Sequence, residues 1–354
     1  MRWHFRRIGL KGIIFLAIWA WGIVAVSELS KTNKKQPYFE LKLQAAQKSK
    51  RAMEIIRDYR RENYLFWDPL ADPNNTGMIG VEFSKITTDR GELSSKLTST
   101  NPNLAALIVH FLIKAGVKRG DKVAVAITGS FPALNISLYS AIEALEIQPT
   151  IITSIGSSSW GANLEELTWL DMERILYERG IFKTRSKAAT LGGRNDIGAN
   201  LSPEGRKALE DAAKRNFIPL LKGENLHEMI SKRMNIYGKT SYKAYINIGG
   251  GLGSLGSHYN INVIGNGLIK KIPQYDFPVK GTLIQFAERG IPVINLADIK
   301  EIARRYKFPI APEPIPPVPT GELFFRNEYN LTVVWLLLIF YIFLIFIVIG
   351  GLRK

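Results

Sequence analysis

Three glycine- and serine-rich segments of this sequence each follow a short apolar run, and the first two precede residues with helical spacing. They read TGSFP (128–132), SIGSSSWGAN (154–163) and GGGLGSLGSH (249–258). In an open α/β sheet, ligands bind beyond the carboxyl ends of the strands, and backbone amides at the start of a helix hold anions. We therefore expect the three segments to form one pocket, with ligand-binding residues Gly129, Ser130, Ser157, Ser158, Ser159, Asn163, Gly250, Gly251, Gly253 and Ser254.

Each segment also has a purely structural interpretation. Ser130 is suited to cap the helix that is expected to begin at Pro132. The segment 154–163 could be only a long connection between two elements. The glycine run at 249–256 could serve only to let the backbone turn tightly.

Arg194 adds a charged candidate to these segments. It lies in LGGRNDIG (191–198), just before a helix start at Ser202-Pro203. A guanidinium group can hold a carboxylate through two parallel hydrogen bonds, so Arg194 is predicted to bind a carboxylate ligand. The alternative is a surface loop with a solvated arginine.

Catalysis by a serine is a second hypothesis. Ser130 lies at a strand-to-helix turn, where a hydrolase nucleophile would lie, but the second glycine of G-x-S-x-G is missing. His258 is a candidate base, with Asp276 or Asp298 as the group that orients it, and nothing in the sequence fixes their distances. Ser130 and His258 are the catalytic candidates of this alternative, while a non-catalytic role is the main expectation.

The sequence gives little reason to expect a bound cofactor or metal. Gly251, Gly253 and Gly256 match G-x-G-x-x-G, but the residues after them do not read as the helix that a dinucleotide site requires. The four histidines lack the spacing of a zinc site, and the chain has no cysteine. We therefore expect neither a cofactor nor a metal ion.

Apolar strands and helices alternate around these segments. Continuous apolar strands of this kind are typical of a parallel sheet that helices cover on both faces. The predicted fold class is therefore α/β, with a mostly parallel sheet. The strands are expected at 122–128, 150–153, 217–221, 242–248 and 291–296, and the helices at 101–115, 132–146, 164–179, 202–216, 225–234, 281–289 and 297–306.

An apolar segment near each end of the chain is long enough to cross a membrane. Residues 331–350 contain no charge and residues 8–26 contain only Lys11, and about 20 such residues span a bilayer. Basic residues precede the first segment and follow the second, which favours cytoplasmic termini and an extracytoplasmic domain between two spans. A cleavable signal peptide is the alternative for the first segment.

These features divide the chain into five predicted regions. They are an N-terminal transmembrane anchor (1–27), a basic linker with an amphipathic helix (28–77), an extracytoplasmic α/β domain (78–308), a proline-rich spacer (309–330), and a C-terminal transmembrane helix with a basic tail (331–354). The expected location is the bacterial cytoplasmic membrane, so the lipid bilayer is an expected partner.

The chain carries a formal net charge of +16. Six of its 47 basic residues lie in the terminal segments and all 31 acidic residues lie between them, which leaves an excess of ten positive charges at 28–330. Such an excess favours an anionic partner, such as a polyanionic polymer, lipid headgroups or an acidic protein. The extracytoplasmic location disfavours nucleic acid, and a solvated basic surface without a partner remains an alternative.

Four segments carry a resemblance to a known family. They read AVAITGSFPALN (124–135), TSIGSSSWGAN (153–163), LGGRNDIGANLSPEG (191–205) and NIGGGLGSLG (247–256), and they lie between the two apolar ends. With this arrangement the chain resembles the bacterial poly-gamma-glutamate system proteins over most of residues 1–350. The resemblance implies an accessory membrane component of poly-gamma-glutamate or capsule synthesis or export, with no catalytic residues to assign.

The resemblance also implies partners. These are the membrane-embedded components of the poly-gamma-glutamate synthase and the anionic polymer itself. Two other functions stay open: an extracytoplasmic hydrolase or transferase that acts on the polymer or on envelope glycan, and a scaffold that senses a ligand through its loops.

Overall fold

The computed structural model describes residues 8–350, which form two compact units, residues 8–37 with 325–350 and residues 38–324. The helices are α1 Leu10–Leu29, α2 Phe39–Glu62, α3 Leu93–Ser99, α4 Leu104–Lys114, α5 Pro132–Leu145, α6 Trp169–Glu178, α7 Pro203–Arg215, α8 Leu226–Tyr237, α9 Leu252–Leu255, α10 His258–Ile264, α11 Thr282–Glu288, α12 Ile299–Arg305 and α13 Leu331–Gly350. The strands are β1 Thr32–Lys35, β2 Thr87–Asp89, β3 Lys122–Thr128, β4 Gln148–Ser154, β5 Ser157–Ser158, β6 Asn163–Leu164, β7 Leu167–Thr168, β8 Ala188–Thr190, β9 Ala244–Ile248, β10 Gly267–Ile269, β11 Val293–Leu296 and β12 Phe325–Glu328.

The smaller unit contains two helices, α1 and α13, that are each long and apolar enough to cross a membrane, and almost no residue of either is buried. The rings of Trp19 and Phe340 meet edge to face at 5.4 Å, and the Tyr341 hydroxyl donates a 3.3 Å hydrogen bond to the Leu16 carbonyl. Strands β1 and β12 pair as an antiparallel ribbon. The basic flanks that orient the predicted spans, residues 1–7 and 351–354, lie outside the described residues.

A six-stranded mixed sheet forms the centre of the larger unit, in the order β10-β11-β9-β3-β4-β8. Strands β11, β9, β3, β4 and β8 run parallel, whereas β10 is antiparallel to β11. The sequence does not predict β10, because this strand of three residues begins on the last glycine of a Gly-Asn-Gly turn and its apolar pattern is too short to read as a strand.

Buried side chains cover both faces of this sheet. Tyr245 of β9 and Ala124 of β3 share one apolar cluster with Tyr237 of α8 and Phe286 of α11. Every residue of β8, β9 and β11 is buried, which indicates cover on both faces. Helices α2, α4 and α5 form a second packed group. The predicted α/β class is therefore confirmed.

Two predicted elements differ from the structure. The helix expected at 164–179 begins only at Trp169, because residues 163–168 form the hairpin of β6 and β7. The Asp171 carboxylate caps this helix by accepting hydrogen bonds from the Thr168 amide and hydroxyl. The strand expected at 217–221 is reduced to a single bridge between Ala189 and Leu220.

The larger unit extends beyond the range 78–308 that the sequence suggests. Helix α2 belongs to it, and the hydroxyls of Ser49 on α2 and Ser137 on α5 lie 3.1 Å apart. The proline-rich segment up to residue 324 also lies against this unit. The Asn103 side chain donates a 3.1 Å hydrogen bond to the Pro317 carbonyl and accepts one from the Thr320 amide.

Candidate functional site

A cavity of about 670 Å³ lies at the carboxyl ends of β3, β4 and β9. Residues from the segments 88–96, 128–131, 154–158, 193–200 and 250–261 line it. The three segments selected from the sequence and the Arg194 loop therefore meet at one edge of the sheet, where parallel α/β proteins bind ligands.

Some of the predicted ligand-binding residues line this cavity and others support its walls. The cavity is lined by Ser130, Ser158, Arg194, Gly250 and Gly251, together with His258. The predicted residues that do not line it are Gly129, Ser157, Ser159, Asn163, Gly253 and Ser254.

Asn163 is the clearest example of a supporting residue. Its fully buried amide group donates 2.8 Å and 2.9 Å hydrogen bonds to the Val81 carbonyl and the Thr87 hydroxyl, and accepts one from the Val81 amide. The Ser157 hydroxyl donates to the Ser158 carbonyl, and the Ser159 hydroxyl donates to the Asp89 carbonyl. The Asn163 amide and the Ser159 hydroxyl therefore join residues 81–89 to the serine segment, and the Ser157 hydroxyl is bonded within that segment.

The glycines of these segments allow the backbones to approach one another closely. A Cβ atom on Gly129 would lie 2.4 Å from the Ile155 carbonyl oxygen, and one on Gly161 would lie 2.8 Å from Ser130 Cα. A Cβ atom on Gly253 would lie 2.4 Å from Arg233 Nε. Since no larger residue fits without displacing these atoms, the glycines fix the shape of the cavity wall.

Ser130 does not cap helix α5, as the simplest structural interpretation expects. The residue at the cap position is Phe131, and no side chain caps this helix. The Ser130 hydroxyl instead accepts a 3.0 Å hydrogen bond from the Ser158 amide, which joins the first two predicted segments directly.

The arrangement does not assemble a triad around Ser130 and His258. Within residues 8–350, no hydrogen bond joins His258 to Ser130, Asp276 or Asp298. The Asp298 carboxylate caps α12 by accepting hydrogen bonds from the Lys300 and Glu301 amides. Both candidates still line the cavity.

The glycine run is followed by helices, so the expectation that none follows it is wrong. Helix α9 begins at Leu252, and α10 begins at His258 after Ser257, whose hydroxyl accepts from the Tyr259 amide. Because glycine is unfavourable in helices, the sequence pattern does not predict these short helices. Helix α9 has 4 residues, far shorter than the helix of a dinucleotide-binding fold.

Lys96 is the functional candidate that the sequence does not reveal. Its side chain is 3% exposed, and its ammonium group donates a 2.6 Å hydrogen bond to the Ser130 carbonyl. The nitrogen lies 2.8 Å from Ser158 Oγ and 3.9 Å from the centroid of the Phe131 ring. Burial lowers the pKa of Lys96 to about 7, because removing the cation from water disfavours its charged form.

No pattern in the sequence distinguishes Lys96 from a surface lysine. It lies on α3, a helix of 7 residues in a polar stretch, where a lysine is most often solvated. Its burial depends on residues far along the chain, Ser130 and Ser158, which come to it only after folding.

Beneath the Arg194 loop lies a buried ion pair. The Arg233 guanidinium donates to the Asp196 carboxylate at 2.7 Å, and both side chains are 1% exposed. Arg233 also donates to Ser154 Oγ and to Thr190 Oγ1. Burial alone would lower the pKa of Arg233, but the charge of Asp196 and the hydrogen bonds to it raise that pKa overall, so Arg233 stays charged. This network fixes the loop that presents Arg194.

Positive charges outweigh negative charges among the side chains around the cavity. Arg90 and Arg194 are exposed at its mouth, and Lys96 lies in its wall. Of the two lining carboxylates, Glu92 forms an ion pair with Lys300, which lowers the pKa of Glu92. The remaining carboxylate is that of Asp89. The cavity therefore suits an anionic ligand of modest size.

Within residues 8–350, no three His, Cys, Asp or Glu side chains are grouped in a way that could hold a metal ion. No protein-family model, curated protein or solved structure matches this chain.

Proposed function

We propose that this chain is an accessory membrane component of poly-gamma-glutamate synthesis or export, and that its cavity binds carboxylates of the polymer. One observation carries the binding part of the proposal. The guanidinium groups of Arg90 and Arg194 lie at the mouth of a cavity that also presents the hydroxyls of Ser130 and Ser158. Guanidinium groups and hydroxyls are the donors that carboxylates accept most readily.

The placement of the two apolar helices supports the membrane part of the proposal. Helices α1 and α13 lie near the two ends of the described chain, so two spans would hold residues 38–324 on one side of the membrane. The basic flanks at residues 1–7 and 351–354 favour the outer side for this unit. A polymer that leaves a synthase would then meet a unit with an excess of positive charge.

The resemblance to the poly-gamma-glutamate system proteins supplies the identity of the polymer. Each unit of this polymer carries one free carboxylate, so a polymer strand would present repeated anions to the cavity mouth. Ion pairs of this kind accelerate encounter with a charged ligand and weaken as salt is added.

A genetic experiment tests the role in synthesis or export. In a bacterium that makes the polymer and carries this chain, deletion should reduce the amount, the length or the release of the polymer. The wild-type chain should restore it, whereas a chain with Arg90→Ala and Arg194→Ala should not, although it reaches the membrane at the same level. Unchanged polymer after deletion would refute the proposal.

The control for this experiment is Arg119→Ala. Arg119 lies before β3, at the opposite end of the strand from the cavity, and pairs with Glu146 on the surface. The Arg119→Ala substitution removes the same type of charge without altering the cavity. The variant chain should therefore restore the polymer fully.

A further inference from the structure

Lys96 and Ser158 carry an inference that goes beyond polymer binding. Lys96 Nζ lies 2.8 Å from Ser158 Oγ, and Ser158 lines the cavity while Lys96 is buried behind it. We propose that these two residues form a serine–lysine pair that transfers acyl groups, with Ser158 as the nucleophile and Lys96 as the general base.

The surroundings of Lys96 suit a base. Within residues 8–350 it forms no ion pair, and its neighbours are the Ser130 carbonyl, the Ser158 hydroxyl and the face of Phe131. With a pKa of about 7, a large fraction of its amine is neutral at neutral pH and can accept a proton.

The charged groups that face this part of the cavity come from several elements. They are Asp89 at the end of β2, Arg90 directly after it, Glu92 before α3, Arg194 of the loop after β8, and His258 of α10. Glu92 is occupied by Lys300. Burial of Lys96, and not a neighbouring charge, is what lowers its pKa, so these groups leave its role as a base intact.

Ser158 is held in place by its backbone instead of its side chain. It lies in β5, opposite Asp89 of β2, and its amide donates a 3.0 Å hydrogen bond to Ser130 Oγ. Gly91 leaves space beside the pair, since a Cβ atom there would lie 3.1 Å from Ser158 Oγ and 3.2 Å from Lys96 Cε. The hydroxyl is therefore fixed beside the amine and open to the cavity.

The substrate class is an amide or ester whose acyl part carries a carboxylate, because the two arginines at the cavity mouth would bind that carboxylate. In the first step Ser158 Oγ bonds to the carbonyl carbon while its proton passes to Lys96 Nζ. The bond to the leaving group then breaks, and the departing amine or alcohol takes the proton from Lys96. Water attacks the acyl-serine ester and gives a proton to Lys96, which returns it to Ser158 as the carboxylic acid leaves.

Methanesulfonyl fluoride tests this pair on the full-length protein in detergent. The reagent sulfonylates an activated serine, forming a bond from Oγ to sulfur and releasing fluoride, and peptide mass mapping identifies the residue. We expect modification at Ser158, with a rate that rises about tenfold between pH 6 and pH 8 as Lys96 loses its proton. Ser158→Ala should abolish this modification.

Lys96→Met should slow the modification about 100-fold or more, because the base is lost. Ser94→Ala is the matched control, since Ser94 lies on the same helix, bonds to Glu92 and does not line the cavity. It should react at Ser158 as the wild type does. Circular dichroism of each variant checks that it folds.

Two results would overturn the serine–lysine pair. One is a folded wild-type protein that is unmodified at Ser158 even at pH 9, and the other is a Lys96→Met variant that reacts at the wild-type rate. Binding of a gamma-linked oligoglutamate is measured on the same samples. Modification without oligoglutamate binding would support the pair and count against the proposed function, and the reverse result would overturn the pair alone.

Discussion

The guanidinium of Arg233 lies 2.7 Å from the carboxylate of Asp196, which belongs to the Arg194 loop, and both side chains are buried beside the carboxyl end of β4. Arg233 reaches this place from α8, while Ser154 and Thr190, its other partners, end two neighbouring strands. One buried cation therefore holds three parts of the cavity wall together.

Removing one partner of this pair should strongly destabilise the protein. Asp196→Ala leaves the Arg233 charge buried without its anion, which costs about 3–5 kcal/mol. Urea unfolding of the full-length protein, followed by tryptophan fluorescence, measures the loss. Asp211→Ala is the control, because Asp211 pairs with Lys207 on the surface and such pairs contribute about 0.5 kcal/mol or less. Equal effects of the two changes would contradict the structural role of the buried pair.

Because the pKa of Lys96 is lowered in the folded protein, we expect the free energy of unfolding to rise with pH. Its pKa is about 7 in the folded protein and 10.5 in the absence of burial, so between these values the unfolded chain binds a proton that the folded chain has released. The free energy of unfolding should therefore rise by at most about 1.4 kcal/mol per pH unit in this range.

The comparison with Lys96→Met isolates this effect, because methionine does not titrate. Thermal unfolding of both proteins between pH 7 and pH 9 should show the wild type gaining stability relative to the variant. Parallel pH profiles would mean that Lys96 is solvated and charged throughout.

Because the pKa of Glu173 is raised in the folded protein, we expect the free energy of unfolding to fall with pH in a lower pH range. It is fully buried, and burial raises the pKa of its carboxyl despite hydrogen bonds from the Tyr139 hydroxyl and from Ser186. As pH rises past the ordinary range of a glutamate, the unfolded chain loses its proton first, so stability falls. In the Glu173→Gln variant this fall should be absent, and unfolding midpoints at pH 4 and pH 7 measure it. A variant with the same slope as the wild type would contradict the raised pKa.

The absence of cysteine allows a direct test of topology. Lys214→Cys places a single thiol on the exposed surface of α7, and a membrane-impermeant maleimide should label it in intact cells. Arg353→Cys, in the basic tail predicted to be cytoplasmic, should be labelled only after the cells are permeabilised. The reversed pattern would place the larger unit in the cytoplasm.

Strands β3, β4, β9 and β11 and the meeting of the loops at their carboxyl ends could be predicted from the sequence, because local patterns specify them. The run KVAVAIT at 122–128 is β3 without any shift, and the glycines at 249–251 lie at its neighbour's carboxyl end. The cavity wall at 88–96 could not be predicted, since β2 and β5 are two or three residues long and pair only through tertiary contacts. For the same reason, local sequence patterns do not identify Lys96 as a candidate.

The roles of individual serines and asparagines could not be predicted from the sequence either. Ser130 and Asn163 occur in equally polar segments, yet Ser130 lines the cavity and Asn163 is buried against Val81. Which hydroxyl or amide faces a ligand depends on the partner segment, and the sequence does not specify where that segment packs.

Direct binding of a gamma-linked oligoglutamate tests the central claim most directly. Fluorescence anisotropy with a labelled oligomer and the full-length protein in detergent should show saturable binding that weakens as salt is added. Arg194→Ala should raise the Kd about tenfold or more, as expected for one lost charged hydrogen bond, while Arg119→Ala leaves it unchanged. The oligomer with its carboxylates converted to amides should not bind. Equal binding of the amidated oligomer, or equal Kd values for the two arginine variants, would contradict carboxylate recognition by the cavity.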